Sequence, residues 1–235
     1  MTNKNSFRFK QFTVKHDRCA MKVGTDGVLL GSWTKVNDAR TALDVGCGTG
    51  LIALMLAQRN ENLNVVGIDI DDDAVEQAQE NISVSPWRER IKIEKHDFNE
   101  VFPSEELFDL IVSNPPFYTE DTTCPDDSRQ KARHATSLPI ETMMKQASGL
   151  LTQEGRLSLI VPYSAATDVI GEAVMNNLYL SRRTDVRTTP TKPAKRTMLE
   201  FGRKAQPTVY DMLTLKDKEG NMSDEYKALT EDFYL

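Results

Sequence analysis

A chain of 235 residues, 39% hydrophobic with a formal net charge of −6, is long enough to bury one sizeable core. It is too acidic to hold a nucleic acid by bulk charge, so any such contact must use local basic patches. Cys19, Cys47 and Cys124 stand far apart without CxxC spacing, and no apolar run approaches membrane-spanning length, which argues against a disulfide framework, a zinc site or a membrane anchor and for a reducing cytoplasm.

Residues 1–24 form a basic, partly aromatic extension: Phe7, Arg8, Phe9, Lys10, Phe12, Lys15, Arg18 and Lys22 face a single acid, Asp17. The alternations Phe7-x-Phe9 and Phe12-x-Val14 predict a short hairpin, either a basic lip for phosphates or a solvated edge. A loop over 23–27 leads into the helical pattern Val28, Leu29, Leu30, Trp33, with Thr25 or Asp26 at its N-cap; Thr25 is also a candidate contact for a ligand's polar tail. Strand and helix signals then alternate: strands at 42–45, 65–69, 91–94 and 107–112, helices at 51–58 and 73–83, the last with Asp73 as cap and Ala74, Val75, Ala78 and Ile82 on one face. This alternation predicts a doubly wound α/β fold with a mostly parallel sheet. The polar stretch 119–136, with Arg129, Lys131, Arg133 and His134, reads as a long loop over the site. A helix at 138–151, a strand at 156–162, a helix at 165–178 and strands near 180–188 and 197–203 come next, then an acidic tail from 205. The expected organisation is a basic extension (1–24), a catalytic domain (25–204) and a tail (205–235).

Leu43-Asp44-Val45-Gly46-Cys47-Gly48-Thr49-Gly50 is a strand, a glycine turn and the start of a helix. The glycines allow a tight turn and close approach of a ligand. Leu51 occupies the place of the last glycine in the dinucleotide pattern G-x-G-x-x-G, which disfavours a nicotinamide oxidoreductase. Asp44, just before the turn, suits a cation such as the ammonium of a methionyl group. Asp69 ends the second strand, 19 positions beyond Gly50, where a carboxylate takes ribose hydroxyls. Asp97, with Phe98 beside it, ends the third strand, placed for an adenine amino group and its ring face. Singly, Asp69 and Asp97 read equally well as helix caps; jointly, three acids at three strand ends indicate a nucleoside site.

The fourth strand runs into Ser113-Asn114-Pro115-Pro116-Phe117-Tyr118. Two prolines cannot continue into a helix and restrict the residue before them, so the turn is stiff and stands where open α/β sheets bind ligands. Asn114 Oδ1 and the Pro115 carbonyl accept hydrogen bonds, and Phe117 supplies a flat ring. An exocyclic amino group on a planar ring, two N–H donors and a stackable face, fits that set.

Together these residues resemble the class I S-adenosylmethionine-dependent methyltransferases, and N-P-P-F resembles their amino-methylating branch. The likeness covers about residues 23–203. The stretches at 23–33 (VGTDGVLLGSW), 132–135 (ARHA) and 192–197 (KPAKRT) narrow it to bacterial tRNA methyltransferases that modify an adenine N6 beside the anticodon of a valine tRNA. The resemblance implies S-adenosyl-L-methionine as cofactor and a Rossmann-like, seven-stranded sheet with an antiparallel final strand. It implies a monomer with no metal, acting on a tRNA anticodon loop. Asn114, Pro115, Pro116 and Phe117 would be catalytic; Thr25, Asp44, Gly46, Gly48, Asp69, Asp97 and Phe98 would bind cofactor; Tyr118, Arg133, His134, Lys192, Lys195 and Arg196 would bind substrate. Two other readings stay open: a protein glutamine N5-methyltransferase, whose amide nitrogen fits the same acceptors, and a cofactor-binding RNA module without catalysis.

Overall fold

A computed structural model describes residues 5–19, 21–100, 107–116 and 138–235. Its main sheet has eight strands in the order β10-β8-β9-β7-β6-β3-β4-β5. These are β3 (Thr41–Val45), β4 (Asn64–Asp69), β5 (Ile91–Lys95), β6 (Phe108–Ser113), β7 (Leu151–Pro162), β8 (Tyr179–Arg187), β9 (Ala194–Gly202) and β10 (Val209–Thr214); β1 (Ser6–Arg8) and β2 (Thr13–Lys15) form the separate N-terminal hairpin. The helices are α1 (Thr25–Trp33), α2 (Leu51–Arg59), α3 (Asp72–Ser83), α4 (Ile140–Leu150), α5 (Ala166–Met175) and α6 (Asp224–Thr230).

Strands β3 to β7 run parallel, and their runs such as Leu110, Ile111 and Val112 are buried because helices cover both faces. One core gathers α1, α2, α3 and the hairpin on one face; the other packs α4 and α5 on the opposite face. Among the described residues no helix is long and apolar enough to cross a membrane.

The sheet corrects the expected count and end. It has eight strands rather than seven, and the antiparallel strand is β9, inserted between β7 and β8. The strand after it, β10, lies parallel to β8 at the edge. The additional strand comes from the segment read as a tail. Within 205–235, Leu213, Tyr226 and Phe233 are buried in the α1–α2 core, each contributing about 1.5–3 kcal/mol. Phe233 O accepts from Lys10 N at 2.9 Å, and Tyr234 stacks on Phe9 with centroids 6.1 Å apart. The two chain ends are thus packed together over the same helices. The acidic residues spread through the segment (Asp211, Asp217, Glu219, Asp224, Glu225, Glu231, Asp232) hid this, although β10 itself carries Val209, Tyr210, Met212 and Leu213.

Two caps also differ from expectation. Gly24, not Thr25 or Asp26, is the N-cap of α1, and no side chain caps that helix. Asp71 caps α3 by accepting from Asp73 N at 2.9 Å, so Asp73 belongs to the first turn.

Candidate active site

The sheet reverses its winding between β3 and β6: β4 and β5 lie to one side, β7 to the other. Ligands of open α/β sheets bind at the carboxyl ends of strands at such a point. The register pairs Val45 with Ser113 and with Ile68, and Asp69 with Lys95. Hence Asn114, Gly46, Asp69 and His96 leave adjacent strands side by side. Three strand spacings span about 14 Å, enough for an extended nucleoside with an amino-acid tail. Ser113 Oγ donates to Val45 O at 2.8 Å, fastening the two central strand ends.

A cavity of about 800 Å³ opens over this row. Its walls include Thr25, Gly46, Gly48, Asp69, Asp97, Phe98, Asn114, Pro115, Pro116 and Arg196, so the structure brings together most of the residues read as functional. Phe117, Tyr118, Arg133, His134 and Cys124 lie outside the described residues. Lys192 and Lys195 are exposed and are not among the cavity walls.

The glycine turn is built for close approach. Gly46, Gly48 and Gly50 have φ of 69°, 53° and 76°, a region that side-chain-bearing residues rarely adopt. A Cβ at Gly46 or Gly48 would meet no atom within 4 Å; space is kept there for something outside the chain. Gly46 N and Cys47 N both donate to Ile68 O at 2.9 Å, and Gly48 N donates to Asp69 Oδ2 at 2.8 Å. Asp69 Oδ1 accepts from Asp71 N at 3.1 Å. The carboxylate is therefore oriented by two backbone donors while standing in the cavity wall. Asp97 Oδ1 accepts from both the backbone and the side-chain nitrogen of Asn99 at 2.9 Å, and Phe98 is buried beside it. These groups fit an adenosyl ligand: acceptors for a diol at Asp69, an acceptor for an amino group at Asp97, and an apolar ring wall.

Asp44 departs from its expected role as direct partner of a ligand cation. It is wholly buried and does not line the cavity. Strand alternation turns it beneath the loop, where Oδ2 accepts from Ala53 N in α2 at 3.1 Å and Oδ1 has no partner among the described residues. Burial pushes its carboxyl up to about 7, and nearby Asp69 adds to the rise. The ordinary value is 3.8, so the folded state favours the protonated form. The associated stability is complete below about pH 4 and is lost as pH climbs through about 7. Relative to the parent, Asp44→Asn should gain about 2 kcal/mol between pH 5 and pH 7, read from denaturant unfolding at both values; an equal difference at the two would contradict this account.

The buried thiols Cys19 and Cys47 are held in the protonated form. Burial raises Cys19 to about 11 and Cys47 well above its ordinary range, and a thiol without thiolate character is inert.

Asn81 and Gln77 make ties beneath the cavity that no sequence motif marks. Asn81 Nδ2 donates to Lys15 O and Thr49 O, and its Oδ1 accepts from Lys15 N, all at 2.9 Å. Gln77 Oε1 accepts from Arg18 N at 3.0 Å. Helix α3 thus ties the N-terminal strand to the glycine loop, and the chain just beyond supplies Cys19, Met21 and Lys22 to the cavity wall. The available signal was two polar residues inside the buried stripe of α3, between Ala74, Ala78 and Ile82. At the mouth, Arg196 Nε pairs with Asp26 Oδ2 at 2.8 Å. Asn114 is half-buried, with Nδ2 directed at Met21 Sδ at 3.9 Å.

A Rossmann-like sheet with an adenosyl-fitting cavity beside an Asn-Pro-Pro corner defines a methyltransferase, and the chain belongs to the methyltransferase small domain family, whose model matches residues 19–185. A relative from Phocaeicola vulgatus, named tRNA1(Val) (adenine(37)-N6)-methyltransferase, is 48% identical over 229 residues, 97% of each chain. A protein of the same name from Bacteroides thetaiotaomicron is 44% identical over 230 residues, again 97% of each. In fold alone, the chain resembles the crystal structure of a predicted O-methyltransferase from Agrobacterium tumefaciens, with a TM-score of 0.68 at 17% identity over 88% of this chain and 96% of that one.

Proposed function

We propose that this protein transfers a methyl group from S-adenosylmethionine to the exocyclic N6 of an adenine in tRNA, the adenine at position 37 of a valine tRNA that its relatives are named for. The observation that carries the reading is the shared cavity. The Asn114–Pro115 corner and the Gly46–Asp69–Asp97 cradle are walls of one space, at neighbouring strand ends.

When bound, the cofactor supplies a methyl carbon whose bond to sulfur breaks as its bond to the amine nitrogen forms. The chain's own contributions are positional. Asp69 accepts from the ribose hydroxyls, Asp97 from the adenine amino group of the cofactor, and Phe98 backs its ring. Asn114 Oδ1 and the Pro115 carbonyl accept the two N–H groups of the target adenine, which holds its nitrogen toward the methyl carbon and counters delocalisation of the lone pair into the ring. Asn114 is neutral, so it holds a proton without removing it; the proton passes to water once the nitrogen has become positive. The rate gain is then alignment and charge placement. Phe117 is the ring expected to stack on the target base, which splays from a loop at little cost.

Incubating the protein with total tRNA and labelled S-adenosylmethionine, then mapping the modified nucleotide, tests this reading. N6-methyladenine beside the anticodon of a valine tRNA is the expected product. Label on a protein glutamine, or none on RNA, would overturn it.

A further inference from the structure

On the sheet face that carries α5, the outer strands leave a strip uncovered. Tyr163 directly follows Pro162, a cavity wall, and the guanidinium of Arg183 lies over its ring at 5.4 Å. Asp185 Oδ1 accepts from Arg183 Nε at 2.8 Å and fixes the plane of that guanidinium. The register sets Tyr210 beside Arg183 and Met212 beside Asp185, and paired residues of neighbouring strands point to the same side. Tyr163 is 45% exposed, Tyr210 69% and Met212 49%; on the other side of β10, Leu213 is buried against Val186. Tyr210 and Met212 thus stand open on the edge strand beside Arg183 and Asp185.

The make-up of the strip indicates its occupant. Two exposed rings flank an arginine, Arg183. Rings with guanidinium between them stack bases and meet phosphates, whereas a protein-binding edge would be met by backbone pairing and aliphatic cover. In a chain of net charge −6, a guanidinium set beside exposed rings, even one paired with Asp185, is a local departure. The strip is also continuous with the site: it starts at the cavity rim, where Pro162 pairs with Arg196, and crosses β9 and β8 to β10, about 14 Å at one strand spacing each.

We propose that this strip seats the unpaired nucleotides adjoining the target adenine, with Tyr163 and Tyr210 as stacking rings and Arg183 between them. The proposal rests on tRNA being the substrate. The full-length protein and its Tyr163→Ala, Tyr210→Ala and double variants are compared in steady-state methylation of a tRNA transcript, in binding of S-adenosylhomocysteine alone, and in sedimentation. Each single change should raise KM for tRNA about five-fold or more, the figure for one lost base–ring stack, and the double change more. The kcat at saturating tRNA and the S-adenosylhomocysteine affinity should stay within about two-fold. Tyr210→Phe should behave as the parent, since the ring and not the hydroxyl is used. An unchanged KM in the double variant overturns the proposal, as does a Phe variant as weak as the Ala one. A parent dimer that Tyr210→Ala dissociates overturns it too, making the strip an interface between copies. A parent that methylates no tRNA sinks the substrate reading and this proposal with it, whereas a parent that methylates while the variants match it sinks the strip alone.

Discussion

Asn114→Ala should lower kcat by about 10²–10³-fold, the loss typical of removing one positioned polar group that acts in the transition state. The affinity for S-adenosylmethionine should stay within a few-fold. The physical case is the position of the side chain. Asn114 stands just beyond β6, next to Gly46 across the Val45–Ser113 pairing, and among the described residues its side chain makes only the long contact to Met21 Sδ at 3.9 Å. Truncation therefore removes little that holds the fold together. On the proposed mechanism it also removes one of two acceptors for the target amine, leaving the Pro115 carbonyl alone to fix a nitrogen that is a poor nucleophile. Single-turnover rates and calorimetric titration with S-adenosylhomocysteine separate the two quantities. Equal losses in both would make Asn114 a structural residue.

Asp69→Ala should show the opposite split, with its main effect on cofactor binding. Hydrogen bonds to a charged group contribute about 1.5–3 kcal/mol each, and a ribose diol offers two, so affinity should fall about a hundredfold or more. A second loss adds to this. The same carboxylate orients the glycine turn through Gly48 N at 2.8 Å and the start of α3 through Asp71 N at 3.1 Å. Asp69→Asn keeps an acceptor for Gly48 but loses the charge, and should fall between parent and Ala. Titration of each variant with S-adenosylhomocysteine decides the matter; a dissociation constant for the Ala variant within three-fold of the parent would remove Asp69 from the cofactor site.

The positions of these two residues at the strand ends were legible in the sequence because strand and motif coincide there. An apolar run of five or six residues is a buried parallel strand, and the residues at its carboxyl end must lie along the ligand-binding edge of the sheet; Asp69, Asp97 and Asn114 needed no further information. Asp44 shows the limit of that logic. It belongs to the same motif, yet lies one residue inside its strand, and the alternation of side chains buries it under α2 where it meets Ala53 N. The caps of α1 and α3 slipped by one or two residues for a related reason: several polar side chains stand at each helix start, and backbone geometry chooses among them.

The amino-acid order by itself determined the parallel α/β alternation, the glycine turn, and the acids and Asn-Pro-Pro corner at the strand ends, because hydrophobic period and turn chemistry are local properties. The tertiary structure alone decided that residues 205–235 complete the sheet and core, that Asn81 joins Lys15 to Thr49, and that Tyr163, Arg183 and Tyr210 share one open face. Each of those depends on contacts between segments far apart in the chain, and no local pattern encodes which distant surface a strand edge or a buried amide will meet.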